Sequence, residues 1–386
     1  MTAESVSTTA LWTFWLSAAG LVYAYVGYPL LVWLLARLRP ADPAAGWPDD
    51  GRLPDVTLIV PVHNERATIV NKLANTKALD YAGGALTAVF VSDGSTDGTA
   101  EVIAAACDSR VTLVQLAARQ GKAAALNRGL AEATTPIVVF TDASIMLEPD
   151  SIAAIVRPFR AASVGCVSGE DRIAGGGGEG LYGRYEMFLR RQESRLHSLV
   201  GASGSFYAQR RELCGQFVPN VAPDFLSVLR TVGRGYRAVS EPRAIGYMTA
   251  LDDPKGEFER KVRTVLRGLT TLGQHVGMLN PLRHPVFAFE LLSHKLMRWL
   301  VPFFMAFMLL TSAMLAPGSA LYSWLFGLQV AAYALAAAGY AGQAPAVFGP
   351  FGRIATYFCA VNVATLVAWA KYVQGTRQEL WAPSKR

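Results

Sequence analysis

The sequence predicts an α/β domain joined to a helical membrane region, and three observations carry that expectation. Between Asp55 and Ser144, short runs of β-branched and aliphatic residues alternate with segments of helical composition, the pattern of a mostly parallel sheet with helices on both faces. Flanking this block are long stretches without charge, Ala10 to Ala36 and Trp299 to Gly352, long enough to supply membrane-spanning helices. Composition agrees, because 52% of the 386 residues are hydrophobic and only 17% charged, too apolar for an ordinary soluble enzyme.

The first apolar stretch is followed at once by Arg37 and Arg39, and the ten residues from Met1 to Ala10 hold no Lys or Arg. A cleaved signal peptide has a basic start and a shorter apolar run. The expectation is therefore a retained span within residues 1–39, with its N-terminus outside and the following domain in the cytoplasm. Residues 40–54, rich in Pro, Ala, Gly and Asp, read as a linker.

A domain is expected over 55–250. A buried strand over Val56 to Pro61 runs into His63, Asn64 and Glu65, with a helix from about Ala67 to Ala78. A second strand, Val89 to Ser92, ends at Asp93-Gly94-Ser95-Thr96-Asp97, and a third covers Val111 to Leu116 before a helix over Gln120 to Ala133. The fourth, Ile137-Val138-Val139-Phe140, delivers Asp142 to the carboxyl edge of the sheet. Open α/β sheets bind ligands along that edge. Glu65, Asp93 and Asp142 thus stand at three strand ends; each alone is an ordinary loop or cap residue, whereas the trio marks a ligand crevice. No GxGxxG follows the first strand, so a dinucleotide cofactor is not expected.

Farther on, Glu148-Pro149-Asp150 opens a helix to about Phe159, Val164 to Ser168 reads as a strand, and Gly175 to Gly178 as a mobile loop. Leu181, Tyr185, Phe188, Leu189, Leu196 and Leu199 recur at helical spacing between Arg184, Arg190, Arg191 and Arg195, a basic amphipathic helix suited to a membrane surface or to covering the domain. A second such stripe runs from Phe258 to Leu272 within interfacial helices expected over 251–299. Spans follow at Leu300 to Ala316, Leu321 to Tyr340 and Ile354 to Ala370, within 300–374, and a basic tail at 375–386. Three crossings leave the tail outside, whereas Lys371, Arg377, Lys385 and Arg386 favour the inside; a re-entrant stretch or a different count of spans reconciles the two.

The net charge of +7 comes without a Lys/Arg run interleaved with aromatics, so nucleic acid is not an expected partner and anionic lipid is. Cys107, Cys166, Cys214 and Cys359 lie far apart with no CxxC spacing, which fits a reducing compartment rather than a zinc or disulfide framework.

Four motifs in order, Pro61-Val62-His63-Asn64-Glu65, Ser92-Asp93-Gly94-Ser95-Thr96-Asp97, Gly121-Lys122-Ala123-Ala124-Ala125-Leu126-Asn127 and Thr141-Asp142-Ala143-Ser144, resemble those of family 2 glycosyltransferases. The resemblance is to the membrane-integrated branch that contains the hyaluronan, chitin, cellulose and poly-N-acetylglucosamine synthases, and it covers about Val56 to Gly268. It implies a GT-A fold, a Rossmann-like and mostly parallel sheet in the cytoplasm, with interfacial amphipathic helices and about four transmembrane helices in a bacterial inner membrane. It also implies inverting transfer from a UDP-sugar to a membrane-presented acceptor, either a lipid-linked saccharide or a growing polysaccharide.

Carried over residue by residue, the resemblance places Pro61, Asn64, Glu65 and Asp93 at the donor nucleotide, with Glu65 and Asp93 holding the uridine. It places Gly121 and Lys122 at the diphosphate. Asp142 is the first acid of the metal-binding motif, and Ser144 stands where a second carboxylate often stands, so a Mg or Mn ion leans on Asp142, the diphosphate and water. Gly201, Ser203, Gly204, Arg210 and Arg211 fall on the acceptor side. Asp224 takes the position of the catalytic base, with Pro223 in place of the neighbouring acid. Arg263 matches the diphosphate-binding Arg of the Gln-x-x-Arg-Trp motif of processive synthases, but Arg260 and Thr264 replace its Gln and Trp. That departure favours a single transfer over processive synthesis. A catalytically inactive UDP-binding membrane module is the alternative from another class, kept open by Pro223 and Ser144.

Overall fold

A computed structural model of the chain describes residues 3–39, 52–174, 178–249, 254–342 and 349–376. The glycine loop expected at 175–178 lies, but for Gly178, outside the described residues, as do most of the linker and residues 377–386 of the tail. The chain divides into two compact units, one built on a sheet and one on long helices.

After two N-terminal helical segments, α1 (Ala3–Val22) and α2 (Tyr28–Arg37), the chain enters the sheet unit through β1 (Val56–Val62), α3 (Arg66–Lys77), β2 (Leu86–Asp93), α4 (Thr99–Ala106), β3 (Val111–Leu116), α5 (Lys122–Glu132) and β4 (Ile137–Thr141). Strand β1 lies between β2 and β4, parallel to both, and β3 extends the sheet beyond β2. All seven residues of β1 are buried, as an unbroken apolar run requires. Because side chains alternate along a strand, Val56, Leu58, Val60 and Val62 join the core formed with Ile69 and Leu73 of α3 and Ile103 of α4. Ile59 faces the other way, towards Gly129 of α5.

The second half of the sheet is mixed. It contains β5 (Met146–Leu147), β6 (Val164–Ala174), β7 (Phe206–Arg210) and β8 (Arg237–Thr249), with α6 (Ser151–Val156), α7 (Gly178–Leu196) and α8 (Pro223–Gly233) between them. The order across the sheet is β3-β2-β1-β4-β7-β6-β8-β5. Strand β7 runs antiparallel to β4, with Tyr207 opposite Phe140 and Arg210 opposite Ile137. Strands β6 and β8 are parallel, with register breaks after Val164 and after Ser168. The sheet is thus mostly parallel and mixed at one side, the GT-A arrangement, and β5, β7 and β8 are strands for which no sequence pattern prepared.

The helical unit takes α1, most of α9 (Pro254–Gln274), the end of α10 (Pro285–Leu291), α11 (Met297–Leu315), α12 (Ala320–Tyr340) and α13 (Gly349–Val373). Four helices are long and apolar enough to cross a membrane: Ser7–Arg37, Pro285–Gly318, Ala320–Tyr340 and Gly352–Val373. The second begins well before Leu300, because His294 and Arg298 are buried inside it rather than left at its mouth. Two of these helices each contain one π-helical turn, Tyr23–Gly27 and Leu292–Leu296. The two turns meet where Tyr23 Oη and Ser293 Oγ share a hydrogen bond of 2.8 Å. Nearby, the Arg298 guanidinium lies over the Tyr25 ring at 5.7 Å and pairs with His294 Nε2 at 3.2 Å.

The packing of α5 on β1 depends on Gly129, where an added Cβ would sit 2.6 Å from Ile59 Cγ2. Gly129→Val should therefore destabilise the sheet unit by about 1–3 kcal/mol, the usual effect of overpacking, measured as a lowered denaturant midpoint of the purified protein in detergent.

Candidate functional site

The loops after β1 and β2 are tied to each other before any ligand arrives. Asn64 adopts a left-handed conformation, φ 51°, which turns its backbone N–H to Ser95 Oγ (3.2 Å) and its Oδ1 to the Thr96 N–H (2.9 Å). The Glu65 N–H donates to Thr99 Oγ1, the Arg66 N–H donates to Asp97 Oδ2, and His63 Nδ1 lies 2.7 Å from the Asp93 carbonyl. Glu65 occupies the cap position of α3, but its carboxylate accepts from the Thr68 hydroxyl at 2.6 Å instead of from a backbone N–H. Burial raises the Glu65 carboxyl above its ordinary value; the Thr68 bond opposes this, while the charges of Asp142 and Asp97 add to it.

Asp93 does more to the protein than its position at a strand end announces. It is buried, and its two oxygens accept the backbone N–H groups of Gln120 (2.6 Å) and Gly121 (2.8 Å). A carboxylate receiving two N–H groups is a strong, charge-assisted clamp, and here it fixes the loop that presents Lys122. Gly121 has φ +91°, and at Gly94 an added Cβ would lie 2.5 Å from the Arg119 nitrogen. Both positions therefore need glycine for the two loops to close on each other.

Lys122, the first residue of α5, reaches across to β4. Its Nζ lies 2.5 Å from Asp142 Oδ1 and 3.5 Å from the Gly204 carbonyl. Asp142 is held in turn by its N–H to the Ser205 carbonyl at 3.0 Å. Gly204 is exposed, and a Cβ added there would stand 3.8 Å from Asp224 Oδ1. Asp224 is half-buried in the first turn of α8, whose cap is Ala222 and whose first residue is Pro223. Pro61, Lys122, Asp142, Gly204, Tyr207 and Pro223 help to enclose a water-sized space of about 10 Å³. Lys122 and Asp142 thus share one opening, Asp224 lies beside the Gly204 that also lines it, and Glu65 is close enough to Asp142 to feel its charge.

Other expected site residues stand elsewhere. Ser144 sits half-buried in the turn after Asp142, and Gly201 is buried in the loop before β7. Ser203 is buried; its hydroxyl donates to Asp171 at 2.6 Å and accepts from the Ser205 and Phe206 N–H groups, so it builds the loop that displays Gly204. Arg210 and Arg211 need correction as acceptor-side groups. Antiparallel pairing sets Arg210 opposite Ile137, at the start of β4, whereas Asp142 follows its end. Their guanidiniums bind main-chain carbonyls there, Arg210 those of Phe159, Ala161 and Val164, and Arg211 that of Ala133. Arg263 lies on the part of α9 that belongs to the helical unit.

Lys72 was not anticipated. It is fully buried, donates to the Ile145 carbonyl at 2.7 Å and to Thr141 Oγ1 at 3.2 Å, and burial lowers its ammonium to about 7, with the charge of Asp142 opposing the shift. The signal was present in the sequence, since Ile69, Lys72, Leu73 and Thr76 fall on one helical stripe and all are buried.

These features stand on a sheet unit with a GT-A-like fold. Residues 57–217 match the family model described as Glycosyl transferase family 2. It is 25% identical over 225 residues to poly-beta-1,6-N-acetyl-D-glucosamine synthase of Staphylococcus aureus (strain COL), covering 55% of this chain and 54% of the relative. The corresponding synthase of Staphylococcus epidermidis is 23% identical over 222 residues, covering 54% and 53%. The chain thus spans about half the length of the curated relatives it matches. Among solved structures, the mannosyltransferase PcManGT from Pyrobaculum calidifontis, in complex with GDP-Man and Mn2+, superposes with a TM-score of 0.73 at 25% identity, covering 94% of this chain and 99% of that one.

Because Asp93 satisfies the amides of the Lys122 loop, Asp93→Ala should leave two buried N–H groups without acceptors. Amide exchange at Gln120 and Gly121 is expected to quicken about tenfold or more while β1 keeps its protection, as read by hydrogen–deuterium exchange.

Proposed function

We propose that the protein is an inverting glycosyltransferase that moves a sugar from a UDP-sugar to an acceptor presented at a bacterial inner membrane, with the sheet unit in the cytoplasm. The observation that carries this reading is the convergence of Lys122, Asp142 and Asp224 beside the exposed Gly204. Asp224 accepts the proton of the acceptor hydroxyl as that oxygen attacks the anomeric carbon. The bond from that carbon to the donor's β-phosphate oxygen breaks, and UDP departs with its new negative charge facing Lys122. A single displacement inverts the anomeric centre.

A divalent cation fits this donor set. Among the described residues no three of His, Cys, Asp and Glu gather as a metal cluster. Asp142 supplies one carboxylate and Ser144 one hydroxyl, and Mg or Mn commonly takes its remaining oxygens from substrate phosphate and water. When bound, the cation neutralises the diphosphate. Lys122 then has the same diphosphate as an alternative partner to Asp142. Glu65 offers its carboxylate to the uracil N–H, whereas both Asp93 oxygens already hold the Lys122 loop; Pro61 and Asn64 border the same loops.

Thr264, in place of a tryptophan that would stack on a sugar, favours one transfer to a lipid-linked saccharide. The synthase names of the staphylococcal relatives favour a growing polysaccharide instead. Radiolabelled UDP- and GDP-sugars supplied to membranes containing the protein separate the two: one added sugar on a lipid-extractable product supports the first, and long polymer the second. Labelling from GDP-sugars alone would overturn the choice of UDP.

Asp224→Asn should lower metal-dependent UDP release by about 10²–10⁴-fold, the range for losing a general base, with UDP affinity within about twofold by calorimetry. Intact turnover in that variant would remove Asp224 from the chemistry. The raised Glu65 carboxyl makes a second expectation. UDP affinity should fall on acidification from a higher pH than an ordinary glutamate would give, because protonation removes the acceptor, and Glu65→Gln should flatten that limb in titrations between about pH 4 and 7.5.

A further inference from the structure

Lys72 sits on the face of α3 that packs against the sheet, with 0% of its surface exposed. A buried ammonium loses several kcal/mol of hydration, and an apolar side chain of the same length would fill the slot without that cost. Its two partners are unevenly spread along the chain in a telling way. Thr141 is the last residue of β4 and Ile145 lies just past the turn, so the acceptors at 3.2 Å and 2.7 Å bracket Asp142, Ala143 and Ser144. The ammonium ties the base of that turn together from inside the protein. One helical turn on, Asn75 donates to the Leu147 carbonyl at 2.8 Å and accepts the Leu147 N–H at 2.9 Å, and the Asp80 N–H donates to the Pro149 carbonyl at 2.8 Å. The segment 141–149 is therefore laced at two points to α3 and at a third to Asp80 just beyond it, and the first of them lies under the proposed cation ligands.

We propose that Lys72 is a positioning residue that holds the Asp142–Ser144 turn in the geometry that binds a divalent cation against the donor diphosphate. This rests on Asp142 and Ser144 being the cation's protein ligands, as set out above. The ammonium touches neither substrate nor cation; it acts through the Ile145 carbonyl and the Thr141 hydroxyl. The site is unusually dependent on such support, because one carboxylate and one hydroxyl leave no further protein ligand to compensate for a displaced turn. Outer partners of metal ligands typically affect metal affinity by 10–100-fold.

The test uses the full chain in detergent and Lys72→Met, which keeps the length of the side chain and removes its donor. Mn2+ binding is followed by electron paramagnetic resonance in the presence of UDP, and UDP binding is followed separately in EDTA. The expected result is Mn2+ affinity lowered by about tenfold or more, with UDP affinity in EDTA within about twofold. A role confined to stability would lower the melting temperature and leave Mn2+ affinity alone, and that result overturns the proposal. If Lys72→Met does not fold, Thr141→Val removes one acceptor and keeps the lysine. It should weaken Mn2+ binding about threefold, the scale of one net hydrogen bond, and unchanged affinity again overturns the proposal. Failure of the unaltered protein to bind Mn2+ with UDP would instead overturn the assignment of Asp142 and Ser144, and this inference with it.

Discussion

Parallel pairing of β1 with β2 and β4 is the constraint on which the rest of the sheet unit depends. Parallel strands end on the same side, so three chain segments far apart in sequence deliver their following loops to one edge. The register Val62 to Ser92 on one side and Ile59 to Phe140 on the other sets how far each loop projects. Pairing shifted by one residue would turn Val56, Leu58, Val60 and Val62 away from α3 and separate the loops that Asn64, Ser95 and Thr96 now join. The chemistry at the edge is thus a property of the backbone ladder before it is a property of any side chain.

On that ladder the charges are arranged in opposed layers. Asp93, buried, accepts hydrogen bonds from two N–H groups of the loop that carries Lys122. Lys122 meets Asp142 in front, and Lys72 supports the turn of Asp142 from behind. Each acid at a strand end therefore has a different neighbour, and the three carboxylates are not interchangeable. Asp93 acts on the loop, Asp142 faces the opening, and the half-buried Glu65 carboxyl is raised by burial and by the nearby charges of Asp142 and Asp97.

Much of this was legible in the residues. The first four strands are apolar runs bounded by turn residues, and the acids at or just after the ends of three of them stand along one edge of the sheet. The later strands were hidden for physical reasons. Strand β7 ends on Arg210, followed at once by Arg211, and their charges look like a surface but are satisfied by carbonyls at the far end of β4. Strand β8 contains Glu241-Pro242-Arg243, a segment that reads as a break, and its ion pair between Glu241 and Arg243 closes locally at 3.0 Å. Direction was equally hidden: antiparallel pairing of β4 and β7 sends the two arginines away from Gly204, although only a few residues separate them. The second membrane helix was shortened for a related reason, since His294, Lys295 and Arg298 resemble the end of a span and are instead carried within it.

The hydrogen bond between Tyr23 and Ser293 joins residues 270 positions apart. Whatever is made first by the ribosome must wait for that partner until nearly the whole sheet unit has been translated. During that interval the first helix carries a phenol and one turn of altered pitch without their later partners. The order of synthesis thus places nearly the whole sheet unit between the first and later helices of the helical bundle. Removing the leading helix would deprive that bundle of a structural member as well as a tether.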